Sequence, residues 1–230
     1  MENVNEIYEN GIDIDGLDDD IAAANTSVDD IESENINLMM IAIDRSGSMG
    51  KYRDEMKNAL EDFKESLSNS KEADEILVAR ANFDDYVYTD AGYKNITEFD
   101  TSYETFCTTR MYDCIVEATK KMLDYRKYLM DNGVRVKCVF AMFSDGNENG
   151  SNATLQEAKR AIEDLNQKEI TTAFISFGSD AKSEATNLGF RNILDLNVNA
   201  SELRKAFNCL SKSVIESSKS VIADGDDFFV

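Results

Sequence analysis

Asp44-Arg45-Ser46-Gly47-Ser48 sets one carboxylate and two hydroxyls at alternate positions, in the spacing D-x-S-x-S. All three are hard oxygen donors, the ligands that Mg²⁺ and similar divalent cations take. Alternate residues of a turning loop can aim at one point. Two further segments offer the same kind of oxygen. The apolar run Val139-Phe140-Ala141-Met142-Phe143 leads through Ser144 to a second carboxylate, Asp145, followed by Gly146. Thr108-Thr109-Arg110-Met111-Tyr112-Asp113 supplies hydroxyls just ahead of a helical pattern. The chain has no histidine. That excludes Ser-His-Asp and Cys-His catalysis, histidine-ligated zinc and histidine phosphorelay.

Such donors meet only if the elements between them bring them to one place. Ile36 to Ile43 is a continuous apolar strand ending at Asp44, and a helix starts near Tyr52 with Met56, Leu60, Phe63 and Leu67 at helical spacing. Ile76 to Phe83 is a second strand, with Tyr86 to Ala91 as its hairpin partner across Asp84-Asp85. After a loop rich in Thr, Ser and Tyr, the stripe Met111, Ile115, Ala118, Met122, Tyr125 and Leu129 predicts a helix that stops at Asn132-Gly133. Val136 to Phe143 is a near-continuous apolar strand, which signals burial on both faces. A helix carrying Leu155, Ala158, Ile162 and Leu165, capped by Thr154 or Asn152, comes next. It is followed by a strand over Ile170 to Phe177, a short helix near Ala181 to Leu188, a weak strand over Ile193 to Leu196 and a last helix with Leu203, Phe207, Leu210 and Val214. This alternation predicts an α/β fold: a doubly wound, mostly parallel sheet of about six strands, helices on both faces, one antiparallel edge strand. Ligands of such sheets bind beyond the carboxyl ends of the strands, where the strand order reverses. Were the first strand and the Val136 strand neighbours there, Asp44 and Asp145 would face each other across one crevice.

The 230 residues suffice for one such domain, and 42% hydrophobic content makes it globular. Residues 1–34 read as an acidic N-terminal arm, 35–218 as the domain and 219–230 as a C-terminal tail. Asp13-Ile14-Asp15-Gly16 in the arm has some likeness to a calcium loop, but Gly11 and Ala22 stand where an EF-hand loop needs its first and last carboxylates. Forty-five acidic against 24 basic residues give a formal charge of −21. That argues against nucleic acid as a partner, whose phosphates need clustered Lys and Arg. The four cysteines show no C-x-x-C spacing and read as reduced thiols, with Cys138 and Cys209 at core-like positions. No apolar run approaches membrane length and no basic-then-apolar leader is visible, so the expected location is cytoplasmic and away from membranes.

Together these segments resemble the von Willebrand factor type A (VWA) domain and its metal-ion-dependent adhesion site, the MIDAS. That family carries D-x-S-x-S after the first strand, a threonine before a helix, and an aspartate in a T/S-D-G turn. The resemblance covers about residues 36 to 218 and implies the ligand set Asp44, Ser46, Ser48, Thr109 and Asp145. Thr109 is preferred over Thr108 because Thr109-Arg110-Met111-Tyr112-Asp113 is similar to the family's T-x-L-Y-D run. The chain departs from the family at Cys107-Thr108, where Gly-Gly often stands. The implied cofactor is Mg²⁺, with Mn²⁺ or Ca²⁺ as alternatives. The implied function is metal-dependent protein–protein interaction, in which a partner supplies an Asp or Glu carboxylate to the cation. Stand-alone intracellular proteins of this type occur in bacterial stress and tellurite-resistance clusters and beside AAA+ ATPases, where a scaffold with a merely structural metal is the further alternative.

A Mg²⁺-dependent phosphatase or phosphotransfer enzyme is the contrasting reading. It lacks support in the motifs: haloacid dehalogenase-type phosphatases use D-x-D-x-T, and Ser46 replaces the second carboxylate that would act as acid and base. Walker, G-x-G-x-x-G and G-x-S-x-G motifs are missing as well. Singly, Ser46 and Ser48 are ordinary loop and cap residues, and Asp145-Gly146 is an ordinary turn pair. Asp113 reads as a first-turn residue favoured by the helix dipole, and Asn147, Glu148 and Asn149 as a solvated rim.

Overall fold

The computed structural model describes residues 25–71, 75–177, 179–196, 200–219 and 229. The acidic cluster around Gly16 and residues 220–228 lie outside them. Six strands form one sheet: β1 (Asn35–Asp44), β2 (Ile76–Phe83), β3 (Val87–Asn95), β4 (Arg135–Ser144), β5 (Thr171–Phe177) and β6 (Asn192–Leu196). Their order is β3-β2-β1-β4-β5-β6. β3 runs antiparallel to β2, and every other neighbouring pair is parallel. The helices are α1 (Arg53–Ser68), α2 (Met111–Asp131), α3 (Leu155–Gln167), α4 (Ser179–Leu188) and α5 (Ala200–Lys219). The doubly wound α/β sheet with one antiparallel edge strand, expected from the sequence, is the fold.

β1 shows why the central strands read as unbroken apolar runs. Every position from Ile36 to Asp44 is buried. Its alternate side chains feed two separate cores. Leu38, Met40 and Ala42 pack with Ile115, Met122, Ile162 and Leu188 of α2, α3 and α4. Met39, Ile41 and Ile43 pack with Leu60, Phe63, Phe207 and Leu210 of α1 and α5. From Leu38 to Ile43 this two-sided burial leaves no polar position, and where the strand emerges at its carboxyl end it carries Asp44.

The sheet edge departs from expectation. β3 runs on to Asn95 rather than ending near Ala91. Its polar tail is held by Tyr93, which is buried and stacks on Tyr125 at 4.9 Å. Within residues 25–34, read as part of an arm, Asn25 and Thr26 are docked on this edge. The Tyr93 N–H donates to Asn25 Oδ1 at 2.8 Å, the Tyr93 carbonyl accepts from the Thr26 N–H at 2.9 Å, and the Tyr125 hydroxyl donates to the Thr26 carbonyl. Covering an edge strand in this way hides its unpaired backbone groups.

All four cysteines are free thiols. Cys138 is buried as expected, but Cys209 is only half-buried, and the core position belongs to Cys114 instead. Cys114 lies one turn after Met111 in α2 and so shares its inward face. Of the two candidate caps for α3, Thr154 is the one used, in a capping box with Glu157.

Candidate metal centre

The strand order reverses between β1 and β4, and the crevice expected of such a sheet opens past their carboxyl ends. Asp44 closes β1. Ile43 pairs with Phe143 of β4, so the turn holding Asp145 emerges directly alongside. Ser46 and Ser48 follow on the 3₁₀ turn Gly47–Tyr52, and Thr109 sits two residues before α2. The structure thus gathers the loops bearing all five residues singled out in the sequence at one end of the sheet.

Asp44 is fully buried and tightly held. Its Oδ1 accepts the Ser46 N–H at 2.8 Å, and its Oδ2 accepts the Ser144 hydroxyl at 2.6 Å. Its carbonyl accepts the Tyr103 hydroxyl at 2.6 Å. Burial pushes the Asp44 carboxyl up to about 6, against the lowering effect of the Ser144 and Ser46 hydrogen bonds and with a smaller contribution from the charge of Asp145. A carboxylate in that situation gains from any cation placed beside it. Ser144 also accepts the Gly146 N–H at 3.0 Å, so one hydroxyl ties the end of β1 to the Asp145 turn. The sequence showed Ser144 only as a letter of the S-D-G turn, because its partner lies a hundred positions away.

The hydroxyls of Ser46 and Ser48 stand 3.0 Å apart, with Ser46 buried and Ser48 exposed at the mouth. Asp145 is nearly buried, and its Oδ1 accepts both N–H groups offered by Asn147, at 3.2 and 3.0 Å. Thr109 is buried, and its peptide is committed to the neighbouring loop. Its N–H donates to Asn149 Oδ1 at 3.0 Å and its carbonyl accepts the Gly150 N–H at 2.9 Å.

The residues read as a solvated rim are therefore structural. Glu148 accepts from the Tyr112 N–H at the start of α2, from the Gly150 and Ser151 N–H groups and from the Ser151 hydroxyl. Asp113 reaches back to accept from the Asn152 and Ala153 N–H groups. The two carboxylates clasp the Thr109 and Asp145 loops together across the positive end of α2. Truncating Glu148 leaves several of these donors unpaired, so Glu148→Ala is expected to lose about 2 kcal/mol in urea unfolding. It should also weaken Mg²⁺ binding severalfold in calorimetry by loosening Thr109 from Asp145, whereas a purely solvated glutamate would change neither.

The sequence signature of the von Willebrand factor type A domain matches residues 39–206, most of the chain. The chain belongs to the VWA family. Among solved structures, the pilus adhesin SpaC from Lactobacillus rhamnosus GG is similar with a TM-score of 0.64 at 11% identity, over 81% of this chain and 30% of the adhesin. Proximal thread matrix protein 1 from the mussel byssus, solved with its MIDAS motif occupied by zinc, is similar with a TM-score of 0.54 at 18% identity, over 80% of this chain and 45% of that protein. Manganese-loaded TRAP protein of Plasmodium vivax gives a TM-score of 0.52 at 19% identity, over 76% of this chain and 73% of TRAP. At such identities the likeness is one of fold, and the chain spans less than half the length of the adhesin and of the byssus protein. Nothing among curated proteins matches the sequence.

The VWA crevice of this chain fits a divalent cation by its donors. Six oxygens at roughly 2.0–2.1 Å from Mg²⁺ are separated along each edge of the octahedron by about 3 Å, the spacing the two serine hydroxyls already hold. Among the described residues there is no group of three or more His, Cys, Asp or Glu placed to hold a metal. A cation placed here would meet the two serine hydroxyls, with the carboxylates of Asp44 and Asp145 behind them.

Proposed function

We propose that this VWA domain binds Mg²⁺ through Asp44, Ser46, Ser48, Thr109 and Asp145 and uses it to dock an Asp or Glu of a partner protein. The supporting observation is the pair of serine hydroxyls 3.0 Å apart at the mouth of a crevice backed by the buried Asp44. When bound, the cation supplies a coordination position that a partner carboxylate can take. The protein's own groups do the rest. Ser144 and the Ser46 N–H fix the orientation of Asp44, Asn147 fixes Asp145, and the Glu148 clasp fixes the distance of Thr109 from both.

A binding module is favoured over an enzyme by the same groups. Both oxygens of Asp44 accept hydrogen bonds from fixed neighbours, and Ser46 stands where a phosphatase would place its acid/base. The relatives' zinc and manganese make these ions natural competitors of Mg²⁺, and parallel titrations with MnCl₂ and CaCl₂ rank the metals. The cytoplasm is our proposed setting, supported by the four free thiols, which suit a reducing compartment.

The test has two stages. Calorimetry with MgCl₂ should show one site that is lost in Ser48→Ala, a variant of an exposed residue that leaves the fold intact. Capture from native lysate should then yield partner protein in Mg²⁺ and at least about tenfold less in EDTA or with Ser48→Ala, a loss of about 1.4 kcal/mol or more. Undiminished recovery without metal, alongside normal metal binding, would leave the cation a structural role only.

A further inference from the structure

Four large apolar side chains are exposed among the described residues, and two of them flank the metal crevice: Tyr86, 71% exposed, and Phe106, 47% exposed. Their placement is fixed by backbone contacts. The Phe106 N–H donates to the Arg45 carbonyl at 2.7 Å, inside the D-x-S-x-S loop itself. A Cβ on Gly47, between the two serines, would meet the Phe106 carbonyl at 2.9 Å. The Phe106 backbone therefore lies directly against the D-x-S-x-S loop. Tyr86 occupies the hairpin that follows Phe83, the residue paired with Asp44 across β1 and β2.

Both rings are presented from rigid ground. The Arg45 guanidinium lies 4.8 Å from the Phe106 ring centroid and 5.5 Å from that of Tyr88, and its Nε donates to the Glu104 carbonyl at 2.7 Å. The Tyr86 turn is closed by Asp84, which exchanges hydrogen bonds with the Tyr86 peptide. Next to it, Asp85 accepts from the Thr108 N–H at 3.0 Å and so staples the hairpin to the loop that carries Phe106 and Thr109. Rings held this way lose little freedom when covered, which makes them efficient contact groups. The local charge also bears on the partner. Arg45 and Arg53 face Asp84 and Glu104, whereas Lys51 is exposed at the rim, close enough to Asp145 to feel its charge.

We infer that the site reads two features at once: a carboxylate at the metal, and a large apolar side chain next to it that covers Phe106 and Tyr86. This rests on the metal-docking reading above and narrows the partner to a protein segment presenting an Asp or Glu beside an aromatic or branched aliphatic residue. The exposed Lys51 complements the acid, and the two rings complement its neighbour.

Selection of phage-displayed random twelve-residue peptides on the immobilised protein in Mg²⁺, with elution by EDTA, tests this. The expected EDTA-released pool is enriched about tenfold in Asp or Glu directly flanked by Phe, Tyr, Trp, Leu or Ile. The Tyr86→Ser, Phe106→Ser double variant should keep the acidic enrichment and lose the apolar one. Tyr86→Ser alone, which leaves the Arg45 stack untouched, should weaken it partway. Each variant is first shown to have the wild-type Mg²⁺-induced melting shift. Acidic enrichment without an apolar neighbour, or an apolar preference unchanged in both variants, overturns this inference and leaves metal docking standing. An EDTA-released pool with no acidic enrichment overturns metal docking and this inference with it.

Discussion

Asp44→Asn is expected to make the metal-free protein more stable at neutral pH while abolishing its response to Mg²⁺. The fully buried Asp44 carboxyl has been pushed from its ordinary 3.8 up to about 6, by burial first and by the charge of Asp145 as a lesser contribution. A proton is therefore bound more tightly in the folded chain than in the unfolded one. Between pH 4 and 6 the native state holds more protons, so stability falls as pH rises through that window. Below pH 4 both states are protonated and nothing is lost; above 6 the whole cost, about 3 kcal/mol, is present. Asparagine has the same shape and cannot ionise. Any constant offset from exchanging one carboxylate oxygen for an amide affects all pH values alike. Urea unfolding in EDTA should thus show a gap between variant and wild type that opens by up to about 3 kcal/mol from pH 4 to pH 7. Adding Mg²⁺ should raise the melting temperature of the wild type only, since a ligand of the native state stabilises by mass action. A gap independent of pH would mean that Asp44 is not held in a dry site.

The legible parts of this fold are those in which burial is two-sided. β1 and β4 announce themselves because sheet positions covered by helices on both faces are apolar one after another, from Leu38 to Ile43 and from Cys138 to Phe143, whereas β2 buries Arg80 and Asn82 as well. The candidate donors were legible for a related reason. Asp44 and Asp145 are the first charges after such runs, so their place at the strand ends follows from the pattern alone. What escaped the sequence is contact between distant polar residues. Ser144 bridges Asp44 and Gly146, and Glu148 reaches the Tyr112 peptide, through geometry that exists only once β1 and β4 are neighbours. The same holds at the edge, where Asp90, Lys94 and Asn95 look like loop residues. β3 continues through them because Tyr93 is sunk into the core and Asn25 and Thr26 satisfy its peptide. Cys209 shows the converse error. Helical periodicity placed it near an apolar stripe, but a turn's edge is only half covered, whereas Cys114 lies squarely on the inward face of α2.

Gly146→Ala should be severely damaging for a change of a single methyl. Gly146 has φ +81, which costs an alanine about 1–2 kcal/mol. Steric conflict costs more. A Cβ there would lie 2.4 Å from Ala181 Cα and 2.9 Å from Ala181 N, backbone atoms of α4 that cannot rotate aside. Either the Asp145 turn or the start of α4 must move. Moving the turn breaks the Gly146 N–H bond to Ser144 and shifts Asp145 away from Asp44, and moving α4 disturbs the core around Ala185 and Leu188. A total loss of about 4–5 kcal/mol is expected, comparable to the whole stability of many domains. Gly133→Ala separates the two contributions. Gly133 has a similar φ of +86 but nothing within 4 Å of its would-be Cβ, so it should lose only about 1–2 kcal/mol and keep full Mg²⁺ binding. Ala181→Gly should fail to rescue Gly146→Ala, because the atoms in conflict are the Cα and N that remain. Rescue by that second change, or normal Mg²⁺ affinity in a folded Gly146→Ala protein, would show that the turn and α4 are not locked together and that the position of Asp145 is not set by this contact.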